Sequence, residues 1–143
     1  MAKVERSALI QYSAEQMFAL VNDIEAYPQY MSGCTAAEVL YQDEERVEAR
    51  LTLEKAGMRQ SFVTRNTLTP PTSMAMELLE GPFSNFDGCW TFQVLSEDAC
   101  KVSLSLDFEF NNKLLGLTVG RWFGGVANTL VDSLLVRAKQ VYG

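Results

Sequence analysis

The stretch Asn112–Val141, NKLLGLTVGRWFGGVANTLVDSLLVRAKQV, decides the fold. Leu115, Val119, Trp122, Val126, Leu130, Leu134, Ala138 and Val141 recur in it at steps of three or four, the spacing of one helical face. At ~1.5 Å per residue such a helix is about 45 Å long, enough to cross a small domain. It follows a run of alternating strands. A long helix laid across a curved antiparallel sheet can enclose a cavity, so the pattern points to a container for an apolar ligand and away from a catalyst.

Immediately upstream, Val102, Leu104, Leu106, Phe108 and Phe110 alternate with Ser103, Ser105, Asp107 and Glu109. This period of two predicts an antiparallel strand with one dry face and one wet face. Further strands are expected at Lys3–Gln11, Ala37–Tyr41, Arg46–Lys55, Met58–Leu68, Ser73–Leu79 and Gly88–Leu95, with a hairpin turn at Ala56-Gly57 and breaks at Pro70-Pro71 and Glu80–Phe83. Near the start, Ser13 and Gln16 have capping-box spacing, and Met17, Phe18, Val21 and Ile24 give the helix an inner face. Asp23 is placed to cap a second short helix, which Pro28 interrupts. The order is strand, two short helices, six strands and a long helix, an α+β arrangement in one domain over 1–143.

Composition narrows the function. A net charge of −6 argues against non-specific nucleic-acid binding, DNA included, because that needs basic surface. Lys55, Arg59 and Arg65 are the candidates for a local basic patch. Cys34, Cys89 and Cys100 form an odd set without CxxC spacing, as expected of reduced thiols in a cytoplasmic protein. The first residues carry charge and no long apolar run, which predicts no signal peptide. No run reaches the ~18 apolar residues of a membrane span, so any membrane contact is expected to be peripheral, at the inner membrane.

There is no histidine. Ser-His-Asp and Cys-His pairs, HExxH metal sites and the usual neutral-pH acid–base group are therefore absent. The glycines match no phosphate loop. Asp107 and Glu109 sit on a wet strand face, and Glu80 and Asp87 are expected in a loop beside aromatics, as weak candidates for a polar contact. This pattern predicts no enzyme, no catalytic residue, no metal site and no required cofactor.

What stands out instead is apolar surplus. Tyr27, Tyr30, Met31, Met58, Met74, Met76, Phe83, Phe86, Trp122 and Phe123 crowd near the predicted loops, and Met tolerates variable packing. In the last helix Gly116, Gly120 and Gly124 share a stripe at steps of four, each costing about 0.5–1 kcal/mol relative to alanine. Such a stripe serves either close packing on the sheet or a thin wall that admits a ligand. Trp122 and Arg121 there suit a lipid interface.

The phrase YSAEQMFALVNDIEAYPQYMSGC (Tyr12–Cys34), the EGPF element (Glu80–Phe83), the GCWTF element (Gly88–Phe92) and the terminal NTLVDSLLVRAKQVYG together resemble the coenzyme Q-binding family of START-like proteins. That group sits within the polyketide cyclase/dehydrase and lipid transport superfamily and includes the bacterial ribosome-association toxins. The resemblance covers essentially the whole chain. It implies the helix-grip fold, a seven-stranded antiparallel sheet wrapped around a long C-terminal helix with a tunnel between them. It also implies binding of a hydrophobic molecule, with ubiquinone or a related polyprenyl lipid leading. Carried onto this chain, the wall would comprise Tyr27, Pro28 and Met31 in the bend, Phe83, Trp90 and Phe92 in the sheet, and Trp122 and Phe123 on the helix. Phe62, Met76, Leu78 and Phe108 on strands and Leu115, Val119 and Val126 on the helix complete the candidate wall. Three readings follow: a quinone carrier or chaperone supporting respiration, a toxin that binds the large ribosomal subunit and pairs with a small antitoxin protein, and, more weakly, a cyclase-type enzyme.

Overall fold

The computed structural model describes residues 2–55 and 57–143, apart from the side chains of Lys55, Leu115 and Thr118. The elements run β1 (Ala2–Ile10), α1 (Ala14–Asn22), a 3₁₀ turn (Ile24–Gln29), β2 (Cys34–Gln42), β3 (Arg46–Lys55), β4 (Met58–Thr69), β5 (Ser73–Glu80), β6 (Phe83–Ser96), β7 (Ala99–Phe110) and α2 (Lys113–Tyr142). The expected order is thus the observed one. Ala56 lies outside the described residues; around it β3 and β4 pair up to Lys55 and Met58, and Gly57 has φ +84°.

The strands form one antiparallel sheet in the order β1-β7-β6-β5-β4-β3-β2. Consecutive strands pair from β2 to β7, and β1 closes onto β7, so the helices between β1 and β2 lie at the sheet's inner face. The alternation read in β7 holds throughout, with Val102, Leu104, Leu106, Phe108 and Phe110 all buried. Leu106 faces Val4 on one side and Gly88 on the other, which continues the dry face across three strands.

Helix α1 starts with a complete capping box. Ser13 Oγ accepts from the Gln16 amide at 3.1 Å, and Gln16 Oε1 accepts from the Ser13 amide at 3.0 Å. Asp23 precedes the 3₁₀ turn but makes no side-chain cap there. Pro28 sits inside that turn, where its fixed φ is compatible with the tighter winding.

Two expectations need correction. The segment Phe83–Asp87 is strand and not loop, because β6 begins at Phe83. A register shift between Phe83 and Asn85 breaks strict alternation, which hid the strand from a period-two reading. The buried stripe of α2 is also shifted. Phe123, Ala127 and Val131 join Val119, Trp122, Leu134 and Ala138 inside, while Val141 is exposed and Val126 and Leu130 are half-buried. A straight helix drifts away from any fixed spacing, so the stripe moves by one position over several turns.

Helix α2 is fastened at several points. Arg6 donates to the Asn128 carbonyl at 2.9 Å and pairs with Asp132 at 3.2 Å. The Tyr142 hydroxyl donates to the Gln16 carbonyl at 2.9 Å. Arg137 lies over the Tyr30 ring at 5.2 Å and donates to Gln29 at 3.1 Å. The helix is thereby held to β1 near its middle and to the bend and α1 near its C-terminal end.

Candidate functional site

A cavity of about 80 Å³ lies between α2, the bend and the inner face of β3–β7. The bend supplies Tyr27, Met31 and Ser32, with Ile24 ahead of it and Cys34 at the start of β2 behind it. Strand β3 contributes Ala49, Leu51 and Leu53, and β4 contributes Phe62, Thr64 and Asn66. Both sets follow the period of two, so every second residue faces inward. Met76, Phe86, Trp90, Leu104 and Leu106 continue the floor, and Phe123, Val126, Ala127 and Leu130 of α2 form the roof. No Asp, Glu, Lys or Arg lines the cavity among the described residues.

The polar groups near the bend are held neutral. Burial pushes the Tyr27 phenol well above its ordinary range, with Tyr30, Cys34 and Asp23 adding to the effect, and its hydroxyl donates to the Val21 carbonyl. Burial also raises Tyr30, against the opposing pull of Arg137, and its hydroxyl has no partner among the described residues. The Cys34 thiol is raised by burial more than its bond to the Ala36 carbonyl lowers it, so it stays protonated and a poor nucleophile. Two buried polar side chains interrupt the apolar wall. The Thr64 hydroxyl donates to Asn66 Oδ1 at 3.1 Å, and Asn66 Nδ2 reaches Met74 Sδ at 3.6 Å.

Outside the cavity a groove is lined by Ser32, Gly33, Glu54, Leu117, Arg121, Trp122, Gly125, Val126 and Thr129. Ser32 and Val126 line both spaces and so form the partition between them. A Cβ on Gly33 would sit 3.4 Å from Val126 Cγ2, so the bend and α2 approach closely where the two spaces meet.

Of the wall residues expected from sequence, the cavity brings together Tyr27, Met31, Phe62, Met76, Trp90, Phe123 and Val126. The others lie elsewhere, each for a physical reason. Pro28 is exposed on the outside of the 3₁₀ turn. Phe83 and Phe108 join Phe110 and Phe123 in an aromatic knot, with Phe83–Phe110 and Phe108–Phe123 centroids 4.7 Å apart. Phe92 packs edge-on against Phe18 of α1 at 5.7 Å. Leu78 is half-buried near Gly81, and Val119 packs into the core ahead of the cavity. Trp122 faces the outer groove, and its Nε1 is buried without a partner among the described residues. The side chain of Leu115 lies outside the described residues. Glu80 and Asp87 are exposed and take no part in the lining.

The sequence reading missed Ala49, Leu51, Leu53, Thr64, Asn66, Leu104 and Leu106 as wall residues. A signal for Thr64 and Asn66 existed: stepping by two from Phe62 reaches both before Leu68. As for a metal, no group of three His, Cys, Asp or Glu side chains among the described residues could hold one. No helix among them is long and apolar enough to cross a membrane. The expected basic patch is largely neutralised, since Arg65 pairs with Glu48 at 3.0 Å and Glu77 at 3.4 Å, and Arg59 lies 3.9 Å from Glu54.

Comparison with known proteins adds the kinship. The sequence profile described as "Polyketide cyclase / dehydrase and lipid transport" matches residues 10–135. The ribosome association toxin RatA of Vibrio cholerae is 47% identical over 143 residues, covering 100% of this chain and 99% of that protein. The mitochondrial coenzyme Q-binding protein of Schizosaccharomyces pombe is 24% identical over 138 residues, covering 93% and 84%. Among solved structures, a START superfamily protein from Mycobacterium smegmatis superposes with a TM-score of 0.81 at 23% identity, covering 97% and 98%. The fold is therefore START-like, with the sheet gripping the long helix.

Proposed function

The chain belongs to the polyketide cyclase/dehydrase and lipid transport family, and from that premise we propose that it binds a neutral hydrophobic ligand of the polyprenyl-quinone type without transforming it. The observation that carries this reading is the uncharged, largely apolar cavity under α2. Apolar lining favours apolar occupants at ~25 cal/mol per Å², so a few hundred Å² of buried tail is worth several kcal/mol against water. Against a membrane the gain is far smaller, which makes exchange reversible.

The cavity of about 80 Å³ is smaller than the ~150 Å³ that admits benzene in an engineered apolar core. A ring-sized head therefore enters by displacing wall side chains. Met31 and Met76 are suited to that, being unbranched and adaptable. A catalytic reading lacks support from the lining: its thiol is held protonated, and among the described residues no carboxylate or cationic group lines the cavity with it.

Two measurements test the proposal. Lipid extracted from natively purified protein should contain a quinone, and decylubiquinone should quench tryptophan fluorescence saturably through Trp90 in the cavity floor. Lipid-free protein with no saturable quenching would defeat the reading.

A second reading, association with the large ribosomal subunit, is favoured by the 47% identity along the entire length of the Vibrio toxin. It would use the outer surface and leave the cavity free, so the two readings are compatible. Over-expression followed by sucrose-gradient profiling checks it, with a reduced proportion of joined ribosomes as the supporting result.

A further inference from the structure

We propose that Asn66 selects the ligand, its side-chain amide donating to a neutral oxygen acceptor, such as a ring carbonyl, on the buried end of the occupant. The inference rests on the ligand-binding reading above and adds to it the chemistry of the head group.

Asn66 is 4% exposed and lines the cavity. Its cross-strand neighbours are Val47 on β3 and Met76 on β5, and the row continues through Gly88 to Leu106. Of these five residues only Asn66 has a side-chain hydrogen-bond donor; Gln42, which extends the row on β2, is exposed. Asparagine is a poor choice for a mere filler at such a place, since a buried amide is costly unless its bonds are made.

Its orientation is set from one side. The Thr64 hydroxyl, itself 4% exposed, donates to Oδ1 at 3.1 Å. That contact turns Nδ2 the other way. The bond shown there, at 3.6 Å, goes to the sulfur of Met74, and a thioether is a weak acceptor. Nδ2 carries two hydrogens, so the amide retains donor capacity that a carbonyl oxygen would satisfy better than sulfur does. Room can be made by Met76, which lines the cavity, is half-buried and has a flexible side chain.

The same surroundings exclude an anion. A carboxylate or phosphate at this depth would find no cation in the lining, and a buried charge without a partner is strongly disfavoured. The chemistry fits a neutral ligand with an apolar body and a carbonyl-bearing ring, and it disfavours fatty acids and phospholipid heads.

The test compares decylubiquinone with decylbenzene, which keeps the alkyl chain and lacks the oxygens. Wild-type protein is expected to prefer decylubiquinone, and Asn66→Leu to weaken it about tenfold, the effect of roughly one hydrogen bond. Decylbenzene affinity should stay within about twofold, the shift expected when no hydrogen bond is lost. Asn66→Leu binding decylubiquinone as the wild type does would overturn this inference while leaving the cavity reading intact. Failure of the wild type to bind either probe would overturn both. Should Asn66→Leu not fold, infrared spectra of decylubiquinone bound to the wild type decide the matter. A carbonyl band moved to lower wavenumber supports the donor, and two unshifted bands overturn it.

Discussion

The two halves of α2 cover different kinds of interior. Its C-terminal half presses Val131, Leu134 and Ala138, each at most 1% exposed, onto α1 and the strands beneath. Met17, Val21, Met74, Phe92, Cys100 and Val102 there are equally deep. Its N-terminal half carries Gly116, Gly120, Gly124 and Gly125, and covers the aromatic knot and the cavity. There Tyr27, Met31, Phe62, Trp122 and Phe123 retain 5–8% exposure beside deeper neighbours such as Val47 and Phe108, and a gap is left among them. One helix thus serves a close-packed end that fixes the fold and a looser end that can yield to an occupant.

Substitution at the close-packed end should be the most damaging. Leu134→Ala removes a fully buried side chain and is expected to cost about 3–4 kcal/mol in urea unfolding. Decylubiquinone affinity of the folded fraction should hardly change. A variant that stays folded yet loses binding would show that the two ends are not separable.

Alkali attacks the bend after α1. Tyr27 and Tyr30 both have phenol pKa values raised by burial. The folded chain therefore keeps protons that the unfolded chain gives up near pH ~10. Their contribution to stability is complete below that pH and falls as pH rises through the folded values. Tyr30→Phe should flatten this alkaline loss, read as urea midpoints between pH ~9 and ~11. An unchanged slope would place the sensitivity elsewhere.

Gly88→Ala probes the floor. The new Cβ would lie 2.7 Å from Met76 Cε and 3.1 Å from Leu106 Cδ1. The methionine end can swing away, toward the cavity it already lines. The expected stability cost is about 1 kcal/mol, and decylubiquinone binding should fall more than stability does. Smallest is Gly125→Ala, where an added Cβ meets nothing within 4 Å. A gain of about 0.5–1 kcal/mol is expected from helix propensity alone. Loss of quinone uptake in this variant would reveal the glycine as part of the entry route.

The close-packed end was the legible one. The alternation of β7 and the capping box at Ser13 report local geometry directly, and both are present as read. The cavity wall was harder because side-chain type does not say which inward position meets a neighbour and which meets a gap. Phe92 and Trp90 share a phase on β6, yet only Trp90 reaches the cavity, because α1 lies over Phe92. Likewise Phe83 and Phe108 are consumed by contacts with other rings, an outcome set by tertiary packing. Asn66 went unnoticed because polar residues in an inward phase look like breaks in a pattern, although here the pattern continues through them.

The close approach of Val126 to Gly33 where groove and cavity meet has a kinetic consequence if entry runs between them. With a barrier of this kind, uptake is timed by how often the side chain and the bend part, a motion of the protein independent of how much quinone is supplied. Stopped-flow traces at rising quinone concentration should then level off at a ceiling rate, and Val126→Ala should lift that ceiling.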